Sequence, residues 1–151
     1  MSPSEKIQAV VDHVERVRKN CLKVGMKMIY SGDVEMGRQL IHNGHIHDAS
    51  KFTGIEFEHL FRGDELLPEA VKHHSSTNPH HPEFWGGIRK MPEVYLAEMV
   101  CDCAARASEF GSDVRLWFSG VASKKYNYNS EDEVYFLIEK YLDMLLEKPF
   151  S

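Results

Sequence analysis

Apolar residues recur every three or four positions from Ile7 through Val10, Val14, Val17, Cys21 and Val24 to Met28, and that stripe constrains the fold more than any other feature. One face of a helix with 3.6 residues per turn gathers all seven; a strand, with its period of two, scatters them over both faces. Ser2-Pro3-Ser4-Glu5 precedes the stripe and has the form of a capping box with proline at the first helical position. A long amphipathic first helix follows from the two together.

The same period continues down the chain. Gly32 ends the first helix, and Asp33 can cap a second that runs through Met36, Leu40 and Ile41 toward an HIHD cluster at 45–48. Thr53-Gly54-Ile55-Glu56 reads as another capping box, opening a short helix through Phe57, Leu60 and Phe61 that stops at Arg62-Gly63. One or two helical turns fit Pro68 to about His74. Residues 75–91 hold two prolines and two glycines and read mostly as loop. Pro92 then opens the clearest helix, PEVYLAEMVCDCAARASEFG, with Gly111 as its C-cap. A last helix follows Ser130 and runs through Phe136, Ile138, Tyr141, Leu142 and Leu145; the VYF at 134–136 lies inside its helical period. Strand signals are otherwise nearly absent. The expectation is all-α: a single domain over 1–151, five or six helices and one long central loop.

Charge and cysteine content narrow the function classes. A net charge of −5 and a pI near 6.0 leave no basic field for a phosphate backbone, so no nucleic-acid polymer is expected as a partner. A small phosphorylated ligand stays open, because a bound metal supplies positive charge that residue counting omits. Cys21, Cys101 and Cys103 have no C-x-x-C spacing and read as free thiols. The charged N-terminus has no apolar leader, and no run approaches the ~18 apolar residues of a membrane span, so a cytoplasmic protein without a membrane partner is expected. Pairing with a second copy of the chain stays open.

Two segments, HIHDASKF at 45–52 and HHSSTNPHHPEFW at 73–85, carry six of the nine histidines. That density suggests metal ligation. Neighbouring residues on a regular helix point in different directions, so His47 and Asp48 converge on one site only at a helix end or around two ions. The order of the remaining candidates strengthens the suggestion: His13, then His47-Asp48, then His73/His74, then His80/His81, then Asp102 in the middle of an apolar helix, where a lone charge is costly.

That order resembles the HD-domain superfamily of metal-dependent phosphohydrolases, from His13 to Asp102. HDASKF is close to its HD-x-x-K-F/I form, and the central segment is similar to a small branch of phage and bacterial proteins with HD-x-S-K and N-x-H-H-P-E segments. The resemblance implies an HD-like helical core with His13, His47, Asp48 and Asp102 as ligands and Asp48 as a bridge between two metals. His74 and one or both of His80 and His81 would hold the second. His74 is favoured over His73 because the H-x-x-x-N-x-H-H spacing matches the related branch. Lys51 would contact substrate phosphate, with Arg115 and the pair Lys124-Lys125 as further cations able to reach a phosphate tail.

Imidazole and carboxylate donors suit one or two divalent ions such as Mn, Fe, Co, Ni or Zn. The expected activity is therefore a metal-dependent phosphohydrolase acting on a small phosphorylated metabolite, of nucleotide or deoxynucleotide type by analogy, through attack of metal-bound hydroxide. Two other readings share the ligands: an HD-fold di-iron oxygenase, and a non-catalytic binder of metal or nucleotide. Blander roles fit the rest. His42 and His45 read as surface or ligand-supporting residues and His59 as structural. Trp85 reads as core or as the wall of a base pocket. Glu98, one turn before Asp102, can orient a ligand or pair with Arg106 or Lys90. Asn78-Pro79 is a turn that aims His80 and His81 inward.

Overall fold

In the computed structural model, which describes residues 1–146, the Ser2 hydroxyl accepts from the Glu5 amide at 3.2 Å and the Glu5 carboxylate accepts from the Ser2 amide at 3.3 Å. This capping box starts helix α1, Pro3–Tyr30, as the sequence implies. A turn through Gly32, whose φ of +100° suits glycine, reverses the chain into α2, Val34–Ile46. Asp33 occupies the cap position, but its side chain makes no capping bond. The two helices form a hairpin whose axes come close because glycines face each other. A Cβ on Gly25 would stand 2.7 Å from the Gly37 carbonyl oxygen, and one on Gly44 would stand 2.7 Å from Cβ of Cys21.

A 3₁₀ turn, Ala49–Phe52, leads to α3, Gly54–Leu60. Thr53 stands at its N-cap without a side-chain capping bond, so the expected second capping box does not form. Its Glu56 turns inward instead. Helix α4, Leu67–Thr77, is longer than the one or two turns expected and carries the first half of the histidine-rich segment. The expected central loop is correspondingly shorter and more ordered. Helix α5, Pro82–Trp85, and a 3₁₀ turn at Ile88–Lys90 occupy most of it, with Gly86 and Gly87 at positive φ between them. Prolines at first-turn positions start helices as readily as they stop them.

Helix α6, Glu93–Phe110, runs through the middle of the molecule and buries Leu96, Ala97, Met99, Val100, Cys101, Ala104, Ala105 and Ala107. Gly111, at φ +67°, closes it as expected. Two short helices unmarked in the sequence follow, α7, Val114–Ser119, and α8, Val121–Lys125, before α9, Glu133–Leu146. Helix α6 packs against α1, α2 and α9, and the Asn20 side chain donates to the Cys101 carbonyl at 3.0 Å, fixing α1 along it. Val17, Cys21, Val24 and Met28 of α1 meet Ile138, Tyr141, Leu142 and Leu145 of α9 in one apolar cluster around α6. The fold is all-α, and among the described residues no strand forms and no helix is long and apolar enough to cross a membrane. The α1–α2 hairpin and α6 together hold the early histidine, the His-Asp pair and the late aspartate at one end of this core.

Candidate metal centre

His47 and Asp48 sit where α2 stops. His47 leaves helical geometry at φ −54° and ψ 130°, and Asp48 takes the left-handed conformation at φ 55°. A left-handed non-glycine residue is strained, and such strain concentrates at functional positions. Here it turns two adjacent side chains toward one cluster, the convergence a continuous helix would deny. Both residues are 2% exposed.

Every histidine expected as a ligand joins them. His13 of α1 places Nε2 2.7 Å from Oδ1 of Asp102, and its ring lies 6.0 Å from that of His47. His80 places Nε2 3.1 Å from Oδ1 of Asp48 and 3.6 Å from Oδ2 of Asp102. Nε2 of His74 lies 3.2 Å from the same Asp48 oxygen, and the His81 ring packs 4.8 Å from His74 and 4.4 Å from His80. Three overlapping groups of donor atoms, each drawn together within 4.8 Å, result: His13, His47 and Asp48; His47, His80 and Asp102; and Asp48, His74, His80 and His81. Asp48 is shared by the first and third.

A row of carboxylates stands behind the imidazoles. Oε2 of Glu98 accepts from Nδ1 of His47 at 2.8 Å and of His80 at 3.0 Å. Glu56, 0% exposed, accepts from Nδ1 of His74 and of His73, both at 2.6 Å, and from the Ser50 hydroxyl at 2.9 Å. Glu109 accepts from Nδ1 of His13 at 2.6 Å. Of these five imidazoles held at Nδ1, those of His13, His47, His74 and His80 turn Nε2 to the centre, the arrangement by which metal-binding histidines are oriented. Nε2 of His47, His80 and His81 and Oδ1 of Asp48 are buried without a hydrogen-bond partner. Close approach without hydrogen-bond alignment is what lone pairs aimed at a common cation produce.

The buried charges of this group act strongly on one another. Burial alone would lift the carboxyls of Asp48 and Asp102, yet the His47 ring beside them outweighs it and holds both well below the usual carboxylate range. Burial likewise opposes charge on His47, but Asp48 and Asp102 outweigh it and raise that imidazole well above its ordinary value. His81 goes the other way: burial and the neighbouring His80 and His74 push it down to about 3, so it stays a neutral donor. Asp48, Glu56, Glu98 and Asp102 are four acids against one nearby ammonium, Lys51, whose Nζ is 3.0 Å from Oδ2 of Asp48. Buried carboxylates in such excess require compensating cations, either protons or metal. The residues present therefore fit one or two divalent ions.

The seven residues expected as ligands come together, and His74 joins them while His73 does not. His73 lies on the outer side of Glu56 with its side chain 47% exposed. His42 and His45 are exposed, and His59 pairs with Asp64 at 2.9 Å, a structural contact. Arg115, expected to reach a phosphate tail, lies apart from these seven residues. Its guanidinium binds Asp143 of α9 at 2.7 Å, and among the described residues no contact joins it to the centre. Lys124 is exposed, and Nζ of Lys125 lies 5.2 Å from the Tyr126 ring centroid. Trp85 neither joins the apolar interior fully nor lines the centre: its indole N–H donates to the Pro79 carbonyl at 2.8 Å and braces the His80-His81 segment. Asn78 does more than turn the chain, since its amide donates to the His74 carbonyl and to the Ser50 hydroxyl, both at 2.9 Å.

Glu56 and Glu109 escaped the sequence reading. Glu56 has the position of a capping-box residue, and local spacing conceals its inward turn. Glu109 had a usable signal, because Glu98, Asp102 and Glu109 lie within about 40° on the face of one helix.

A family model matches residues 2–144, nearly the whole chain. The chain belongs to DUF5662, a family of unknown function. No curated protein and no solved structure matches it. Membership thus supplies no activity, and the chemistry has to be read from the centre itself.

Proposed function

We propose that this chain is a metal-dependent phosphohydrolase acting on a small phosphorylated metabolite. One observation carries the reading: four imidazoles, each held at Nδ1 by a carboxylate, turn Nε2 toward a centre shared with Asp48 and Asp102. His13, His47, Asp48 and Asp102 would hold one divalent ion, and Asp48 with His74, His80 and His81 a second. When bound, such ions acidify a water to a nucleophile and neutralise charge on phosphoryl oxygens.

The chain's own residues supply the remainder. Asp48, with one oxygen toward His74 and His80 and the other toward His47 and Lys51, would be the residue shared between two ions. Lys51, 14% exposed beside it, is positioned to exchange its Asp48 contact for a phosphoryl oxygen of the substrate. Glu98, Glu56 and Glu109 hold the rings in place before substrate arrives, so little reorganisation is left for the reaction itself. The resemblance of the His13, His47-Asp48 and Asp102 order to HD-domain phosphohydrolases supports the reaction class and suggests a nucleotide or deoxynucleotide substrate.

Elemental analysis of gently purified protein, beside an Asp48→Ala control, tests the reading together with phosphate release from a nucleotide panel in Mn or Co. About two metals per chain, lost in the control, with phosphate released only by the wild type, is the expected result. Protein that neither carries metal nor takes it up would remove the centre. Metal with no phosphate release from any ester would remove the hydrolase, and iron with oxygen-dependent turnover would make the protein an oxygenase.

A further inference from the structure

Solvent reaches the centre unevenly. The Asp102 side chain keeps 18% of its exposure, against 0% for His47 and 2% for Asp48 and His80. Lys51 keeps 14% and His74 11%, so Asp102 is the most open of these side chains and its flank of α6 is one approach to the centre. Beside that flank, between α6 and α7, lies a cavity of ≈ 210 Å³ lined by Cys103, Arg106, Ala107, Phe110, Ser112 and Trp117. On α6, Arg106, Phe110 and Cys103 stand about 40°, 80° and 100° round from Asp102, so the cavity occupies the adjoining quarter of the helix surface.

Its lining is specific in kind. Trp117 and Phe110 supply aromatic walls, and Phe110 is 76% exposed, unusual for a side chain of that size. Arg106 is the one charged side chain of the lining. Its Nη1 is 3.0 Å from Oε1 of Glu109, whose other oxygen holds His13 at 2.6 Å, and His13 is in turn 2.7 Å from Asp102. A chain of contacts thus runs from the cavity rim to the centre. The guanidinium is half exposed, and turning toward an anion would exchange its Glu109 contact for one with the ligand.

We infer that this cavity is the subsite for the organic group of the substrate. It would receive one flat aromatic ring against Trp117 and Phe110, with Arg106 contacting the anionic group between ring and metal centre. The inference rests on the phosphohydrolase reading for the placement of the phosphate, but the ring subsite is measurable without turnover. It selects aromatic phosphate esters over aliphatic ones, because a small cavity walled by rings favours a planar group by burial and stacking. It also replaces Arg115 by Arg106 as the arginine that meets substrate.

Phenylphosphonate and methylphosphonate, which offer the same anion with and without a ring, are the probes. Each is titrated into metal-loaded protein while tryptophan fluorescence is followed. Phenylphosphonate is expected to change the emission and methylphosphonate to leave it unaltered, with the response lost in Trp117→Phe, where Trp85 is the remaining indole. Ala107→Leu, which fills the cavity and keeps the Trp117 reporter, should weaken phenylphosphonate at least about tenfold, the worth of burying one aromatic group. Circular dichroism and metal content establish that this variant is folded and loaded; if Leu is not tolerated at 107, Ser112→Leu narrows the cavity from its exposed rim, adds no indole and is read in the same way. Equal affinity for the two phosphonates, or an Ala107→Leu titration unchanged from wild type, would overturn the subsite. Those results would leave the metal-centre reading standing. Ring-selective binding with no ester hydrolysed would do the reverse.

Discussion

Glu98 is a single residue on which two imidazoles depend, because one of its oxygens accepts from both His47 and His80. Burial alone would raise its carboxyl, but the two rings outweigh that and lower it, so the carboxylate is the form the site holds. Glu98→Gln keeps an acceptor oxygen of similar shape and removes the charge. Losing such an outer partner typically lowers metal affinity by about 10–100-fold. Competition with a graded chelator is expected to show that loss with the helical signal unchanged, and retention at wild-type affinity would mean Glu98 only fills space. The sequence allowed Glu98 to orient a ligand or to pair with Arg106 or Lys90, and the structure pairs it with His47 and His80 while Arg106 goes to Glu109. What single residues do by reversing the backbone stays hidden: nothing in the letters of HIHDASKF announces that Asp48 adopts φ 55°. The convergence of the pair was therefore an expectation from motif order, and its physical cause is visible only in three dimensions.

At the scale of elements, the α1–α2 hairpin sets the distance between His13 and His47. It does so through glycines that let the helix backbones touch. In an exposed helix Gly→Ala is expected to stabilise by about 1 kcal/mol. At Gly37 the sign reverses, because the new Cβ would overlap the Gly25 carbonyl oxygen and stand 2.7 Å from Cγ1 of Ile29. Backbone cannot yield as a side chain can, so Gly37→Ala should destabilise by roughly 1–3 kcal/mol and pull His13 away from its partners. Lower urea midpoints with reduced metal content are the expected pair of results; a raised midpoint would show that the contact is looser than it looks. The long helices were readable because their apolar period persists over several turns. Helices α7 and α8, of six and five residues, are too short to display a period. The 75–91 segment misled in another way: its prolines and glycines mark helix starts and turns as much as loop, and α4 runs on to Thr77.

Across the whole molecule, the centre joins segments that are distant in sequence: α1, the α2 terminus, α4, the His80-His81 turn and α6. A cation bound there ties all five together and offsets the repulsion among Asp48, Glu98 and Asp102, so its removal acts on global stability and not on one loop. An ion present at about 100 times its dissociation constant stabilises the folded state by about 2.7 kcal/mol. For a chain of this size that corresponds to roughly 5–10 °C in Tm. Dialysis against a chelator at neutral pH is thus expected to lower Tm by about that amount, and readdition of Mn or Co to restore it. In Asp48→Ala, the same treatment should move Tm little, because the carboxylate proposed to bridge two ions is gone and little metal would be held to lose. A chelator shift of equal size in both proteins would place the stabilising ion elsewhere, whereas no shift in either would mean that protons and Lys51 balance the buried acids without any metal.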